Sequence, residues 1–122
     1  MSVVDASVLL AFAQGEEGSD QAEAVLAAGG ARCGAANWSE VAQRIRAAGR
    51  DWGLVRALLV SYGLTIEPVV EADAEWAARR WRKGEGLSLA DRLCLALAER
   101  LNDDVWTADV SWGSVGRIRQ LR

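Results

Sequence analysis

The stretch Val3-Val4-Asp5-Ala6-Ser7-Val8-Leu9-Leu10-Ala11-Phe12-Ala13 decides the fold. Two adjacent valines with no polar alternation read as a short strand buried on both faces. With no loop between, residues 6–13 continue as an apolar helix, and Asp5 stands at the junction, where a carboxylate caps a helix starting at Ala6. A buried strand feeding straight into a helix opens a β–α alternation, and such alternation builds a largely parallel sheet covered on both faces.

The same rhythm runs through the rest of the chain. Residues 19–28 are helical, with Ala22, Val25 and Leu26 facing inward and Gly29-Gly30 as the stop. Residues 32–36 are predicted as the second strand. Helices follow over 38–48, ended by Gly49, and over 52–62, closed by Gly63. Leu64-Thr65-Ile66 is a strand stopped by the sole proline, Pro68. Residues 72–83 place Ala74, Ala77, Ala78 and Trp81 on one helical stripe, with the arginines mostly off it. Residues 86–101, G-L-S-L-A-D-R-L-C-L-A-L-A-E-R-L, form an amphipathic helix with Leu89, Leu93, Leu97 and Leu101 along one side. Val105-Trp106-Thr107 is a strand, and residues 116–121 alternate with period two, as an edge strand does. No repeat, low-complexity tract or linker interrupts the pattern, so residues 1–122 read as a single domain.

Composition narrows the chemistry. Half of the 122 residues are hydrophobic (51%) and a quarter are charged (25%), a globular balance. No apolar run approaches the roughly 18 residues of a membrane span, and the first strand follows Met1 at once, so the expectation is a cytoplasmic protein without a leader. Cys33 and Cys94 lie in apolar contexts and read as buried thiols. There is no histidine. That excludes Ser-His-Asp and Cys-His nucleophilic chemistry and every His-based zinc site. Carboxylates remain. The net charge is −3, but the basic residues, all arginine except Lys83, group as Arg44, Arg46, Arg50 and Arg56, then Arg79, Arg80, Arg82 and Lys83, then Arg117, Arg119 and Arg122. Guanidinium groups suit bidentate contacts to phosphate or carboxylate, though solvated helix faces use them equally.

Four acids carry the functional reading, and each has a local explanation. Ser88-Leu89-Ala90-Asp91 is a capping box. Asn37-Trp38-Ser39-Glu40 places an Asn cap three residues before an acid. Asp5 caps the first helix, and Asp109 belongs to a turn after Thr107. Their placement says more. Asp5 and Asp109 fall at the carboxyl ends of buried strands, and Glu40 and Asp91 are expected in the first turns of helices leaning on the same edge, where open α/β sheets bind ligands. Four carboxylates in one crevice repel one another, and no nearby lysine or arginine is dedicated to Asp5 or Asp109. A divalent cation removes that cost. Oxygen-only ligands favour Mg²⁺ or Mn²⁺, which activate water and share phosphate oxygens.

In order and spacing, Val3-Val4-Asp5-Ala6-Ser7, Asn37-Trp38-Ser39-Glu40-Val41, Gly86-Leu87-Ser88-Leu89-Ala90-Asp91 and Trp106-Thr107-Ala108-Asp109 resemble the four acidic motifs of PIN domains. The match is nearest to VapC toxins of type II toxin–antitoxin systems and covers essentially the whole chain. The resemblance implies a PIN-like three-layer α/β/α sandwich around a mostly parallel sheet of about five strands. It implies a Mg²⁺- or Mn²⁺-dependent endoribonuclease, dimeric and neutralised by a cognate VapB-like antitoxin. Carried over by position, Asp5, Asp91 and Asp109 resemble the metal ligands and Glu40 the residue that orients or deprotonates the attacking water. Ser7 and Thr107 are expected to hydrogen-bond the carboxylates. The alternative is a catalytically silent PIN-like binding or scaffold domain whose acids serve only as helix caps. A haloacid-dehalogenase-type phosphatase is disfavoured, since the second Asp it needs two residues after Asp5 is Ser7.

The six tryptophans are expected chiefly in the core, Trp81 through its helical stripe. Trp38, Trp106 and Trp112 border the acidic motifs, where one could stack on an RNA base. Of the arginine groups, Arg79, Arg80, Arg82 and Lys83 precede the Asp91 helix and are the expected grip on the RNA backbone. The helix at 52–62 carries more apolar residues (Trp52, Leu54, Val55, Leu58, Leu59) than one sheet needs, and with the helix at 19–28 it is the expected antitoxin or dimer surface.

Overall fold

In the computed structural model, which describes residues 1–121, β1 (Ser2–Val4) is the middle strand of a five-stranded sheet. The chain then runs through α1 (Ala6–Gln14), α2 (Ser19–Ala27), β2 (Arg32–Gly34), α3 (Ala35–Ala47), α4 (Trp52–Ser61), β3 (Thr65–Glu67), α5 (Glu71–Arg80), α6 (Leu89–Leu101), β4 (Asp104–Thr107), a 3-10 turn (Val110–Trp112) and β5 (Ile118–Gln120). Strand order is β3-β2-β1-β4-β5, and every pairing is parallel. The period-two segment is indeed an edge strand. It runs parallel like the rest.

Val3 and Val4 are both fully buried, as a two-faced strand requires. Val4 joins Leu9 of α1, Leu26 of α2, Ile45 of α3 and Leu59 of α4 in one core. Val3 joins Cys94 and Leu97 of α6, Val105 of β4 and Trp112 in another. Helices thus cover both faces of the sheet. From β1 the chain moves outward to β2 and β3 on one side, while β4 and β5 fill the other. The order therefore reverses between β1 and β4, and the carboxyl ends of those two strands flank the crevice where open α/β sheets bind ligands.

Three local expectations change. α5 ends at Arg80, and its buried positions are Asp73 and Ala77 rather than the stripe through Ala74, Ala78 and Trp81. An ion pair sets this rotation: Arg100 of α6 donates from Nε to Asp73 Oδ1 at 2.9 Å and from Nη2 to Oδ2 at 3.1 Å. Trp81 is left outside, 55% exposed. On α6, residues 94–98 are all buried, whereas Leu89 is 58% exposed. A strict i, i+4 leucine row drifts about 40° per step around a helix of 3.6 residues per turn, so its first member leaves the core. Finally, α3 begins three residues earlier than expected, because Gly34 takes the cap position and Ala35 and Ala36 are good helix formers. Asn37 is therefore no cap, and Glu40 sits in the second turn.

Candidate active site

Asp5 follows β1, Asp109 follows β4, Glu40 lies on α3 and Asp91 on α6, yet all four line one cleft. Residues separated by up to 104 positions meet because β1 and β4 are adjacent and in register (Val3 with Val105, Val4 with Trp106), while α3 packs against both α1 and α6. Ser7, Asn37 and Arg44 complete much of the wall, with Glu16 and Glu17 from the loop after α1.

Asp5 is only 4% exposed. It caps α1, with Oδ1 accepting from the Val8 amide at 3.1 Å and from Ser7 Oγ at 2.6 Å, and Oδ2 accepting from Thr107 Oγ1 at 2.6 Å. The two hydroxyls bind the strand ends together as well. Ser7 Oγ accepts from the Ala108 amide at 2.8 Å, and Thr107 Oγ1 from the Asp109 amide at 3.0 Å. Both hydroxyl residues thus hold Asp5 in place. All of its donors are neutral, and burial pushes its pKa from 3.8 up to about 6, against the opposing effect of these hydrogen bonds and with some help from Asp91.

The other three acids share a trait. Asp91 Oδ2 accepts from the Ser88 amide at 3.0 Å while Ser88 Oγ caps the Asp91 amide at 3.0 Å, so the capping box is real. Asp109 Oδ1 accepts from the amide and hydroxyl of Ser111, at 2.9 and 2.7 Å. Glu40 Oε1 accepts from Asn37 Nδ2 at 3.2 Å. In each case the second carboxylate oxygen has no hydrogen-bond partner among the described residues. Local capping and an open coordination position coexist in one side chain.

Convergence is also felt by the buried thiols. Burial raises the pKa of Cys94, and Asp5, Asp91 and Glu40 all add to the effect; burial likewise raises Cys33, with Asp5 and Glu40 adding to it. Both cysteines are free and inert. Among the described residues, no three His, Cys, Asp or Glu side chains close into a ready-made metal cage. The donor set nonetheless suits a hard cation that keeps several waters and takes only one or two protein carboxylates directly. Asp5 has three of its four acceptor positions filled, leaving one on Oδ2.

Sequence reasoning missed Arg44. It lies one turn beyond Glu40 on α3, borders the cleft and makes no ion pair among the described residues. The i, i+4 spacing from Glu40 was the available signal. Asn37, which the sequence pattern suggests as a cap, is buried within α3 and bonded to Glu40. The run Arg79, Arg80, Arg82 does not line the acid cleft; with Trp76 it borders a separate hollow. Trp38 packs edge-on against Trp52 with centroids 5.0 Å apart, and Trp112 is buried, so core packing accounts for both.

A protein from a Klebsiella pneumoniae toxin–antitoxin complex has a similar fold, at TM-score 0.80 and 17% identity over 100% of this chain and 98% of that one. So does VapC20 of Mycobacterium tuberculosis, a toxin that cleaves the sarcin–ricin loop, at TM-score 0.78 and 17% identity over 95% of each chain. No curated protein matches the sequence. The PIN domain family model matches residues 2–118, nearly the full length, and by that match the chain belongs to the PIN-domain family.

Proposed function

We propose that residues 1–122 form one PIN domain acting as a VapC-like toxin, an endoribonuclease that hydrolyses RNA phosphodiester bonds with Mg²⁺ or Mn²⁺. One observation carries this reading: four acids from four separate segments line one cleft, and three of them keep a carboxylate oxygen unengaged. Asp5, Asp91 and Asp109 would hold the metal. Bound there, a divalent cation supplies an activated water and offsets negative charge on the phosphodiester. Glu40, steadied by Asn37, would orient or deprotonate the attacking water. Ser7 and Thr107 keep the Asp5 carboxylate fixed. Arg44, the cation on the cleft wall, receives a phosphate oxygen.

The toxin role draws support from the two similar folds, one in a toxin–antitoxin complex and one an RNA-cleaving toxin. Surface for a VapB-like antitoxin or a second protomer is present. Leu54, Leu58 and Val60 of α4 are exposed, and Ala24, Val25, Ala28 and Trp106 line an open apolar groove of about 520 Å³ along α2. Tyr62 after α4 also donates to Glu23 of α2 at 2.8 Å, which ties these two helices together. A cytoplasmic site of action is part of this proposal, and no helix among the described residues is long and apolar enough to cross a membrane.

The deciding experiment incubates the protein with a mixture of structured RNAs in Mn²⁺ or in EDTA and maps the new ends. Cleavage at defined positions with 5′-phosphate ends, absent in EDTA and with Asp5→Asn, is the expected result. Intact RNA in both buffers leaves the acids as caps and the domain as a silent scaffold.

A further inference from the structure

Trp81 departs from the other five tryptophans. Trp112 is buried, Trp38 and Trp52 pack against each other, and Trp76 and Trp106 lie against the two cores. Trp81 is 55% exposed, belongs to neither core, and its ring makes no stacking contact or hydrogen bond among the described residues. As the residue that ends α5, it has extended backbone (φ −60°, ψ 135°), so the chain leaves the helix there and presents the indole to solvent. A single exposed apolar side chain is ordinary, but an unstacked indole among unpaired cations is a surface on which a flat ligand can stack.

Its surroundings say what would. Arg80 clamps Glu85 through two parallel bonds, Nη1 to Oε1 at 2.6 Å and Nη2 to Oε2 at 3.0 Å, which closes the loop after α5 upon itself. Gly84 and Gly86, at φ +80° and +84°, supply the left-handed backbone this closure needs. Arg82 donates only to the carbonyls of Arg79 and Trp81, and Arg79 and Lys83 have no acidic partner among the described residues. Residues 79–86 therefore carry four cations against one carboxylate, a formal charge of +3 (4 − 1) in a chain whose net charge is −3. The loop is pinned, positive and topped by a flat aromatic ring. A ligand that used both features would offer negative charge beside flat apolar faces. Unpaired nucleotides offer both at every position, whereas a duplex hides its base faces and an acidic peptide has such faces only where it carries aromatic side chains.

We propose that residues 79–86 are a platform for single-stranded RNA: an unpaired base stacks on Trp81, and Arg79, Arg82 and Lys83 hold the flanking phosphates. The inference rests on the ribonuclease reading for its ligand. The loop leads in the chain to Ser88 and the helix that carries Asp91, so it is joined to the acid cleft through α6 without lining it.

Binding is measured on the intact protein in EDTA by fluorescence anisotropy. The probes are a fluorescein-labelled adenosine 12-mer and the same strand annealed to its complement. The single strand should bind more tightly than the duplex. Trp81→Ala should weaken single-strand binding by about 5- to 150-fold, Trp81→Phe should recover most of it, and neither should move the melting temperature. Arg79→Gln with Lys83→Gln should reduce the salt slope by about 1.4. The proposal is overturned if the wild type does not bind the single strand, if Trp81→Ala binds it normally, or if the duplex shows the same Trp81 dependence. Displacement of the RNA from Trp81 by a polyglutamate peptide at matched charge would point instead to an acidic protein partner, and also overturns it. The two readings fail separately: cleavage in Mn²⁺ with no Trp81 effect removes the platform alone, whereas Trp81-dependent binding without cleavage removes the nuclease.

Discussion

Two aspartates are buried to the same depth in this molecule, Asp5 at 4% and Asp73 at 3% exposure, and their surroundings are opposite. Asp73 is neutralised within the chain: both oxygens meet the Arg100 guanidinium, and Oδ2 also accepts from the Val70 amide at 3.1 Å. Asp5 receives only neutral donors, and burial lifts its pKa to about 6. Removing a carboxylate from water costs several kcal/mol unless a counter-charge accompanies it. The fold supplies that counter-charge where the acid is structural. At Asp5 no charged donor among the described residues does so, and the proposed cation would supply it.

The comparison breaks most visibly in catalysis. Asp5→Asn should lower RNA cleavage by on the order of 10³-fold or more, because on the proposed reading it removes a ligand to the activating ion. Asp73→Asn should cleave normally per folded molecule. Thermal melts give an independent reading: Mg²⁺ should stabilise the wild type and Asp73→Asn, and do little for Asp5→Asn. Equal Mg²⁺ responses in all three proteins would end the distinction.

Next in size is a pH effect on the metal-free protein. Below about pH 4 Asp5 is protonated whether folded or unfolded. Between about 4 and 6 the native state holds a proton that the unfolded chain has released, so stability falls as pH rises; above about 6 both forms are ionised and the curve levels. A pKa moved from 3.8 to about 6 corresponds to about 3 kcal/mol across that window. Urea melts at successive pH values should show this descent in the wild type and its loss in Asp5→Asn. A descent that survives Asp5→Asn would assign it to other groups. Smaller still is the stability cost of Asp73→Asn at pH 7. Stripping one partner from a buried pair costs about 3–5 kcal/mol, but Arg100 is 31% exposed and can rehydrate, so about 2 kcal/mol is expected from a urea midpoint.

The same pair shows what a sequence displays and what it hides. Asp5 was legible because its meaning is local: two valines make a strand, a helix starts at Ala6, and the acid between them lies at a sheet edge in any parallel arrangement. Asp109 was legible for the same reason after β4. Asp73 was not, because its partner is 27 residues away on another helix and the pairing exists only once α5 and α6 pack. The hidden pair faces Asp73 and Ala77 inward, against a stripe of alanines whose apolar signal is small, and Trp81 falls outside because the helix has already ended at Arg80. Glu40 was legible by type though not by position, since the i, i+3 relation to Asn37 survives whether Asn37 caps α3 or lies within it. Arg44 gave no sign beyond a spacing that solvated helices share.

The smallest expected effect, at Asp91, separates capping from coordination within one residue. Ser88→Ala removes the hydroxyl that caps the Asp91 amide and should cost about 1 kcal/mol, with cleavage largely retained. Asp91→Asn keeps an oxygen able to accept from the Ser88 amide and removes a charge that now disfavours ionised Asp5. Its unfolding free energy in EDTA should therefore lie within about 0.5 kcal/mol of wild type, or slightly above, while cleavage and the Mg²⁺ response largely disappear. The opposite pattern, a clear loss of stability with cleavage intact, would mean that both oxygens of Asp91 serve the helix and that the cation is held by the other acids alone.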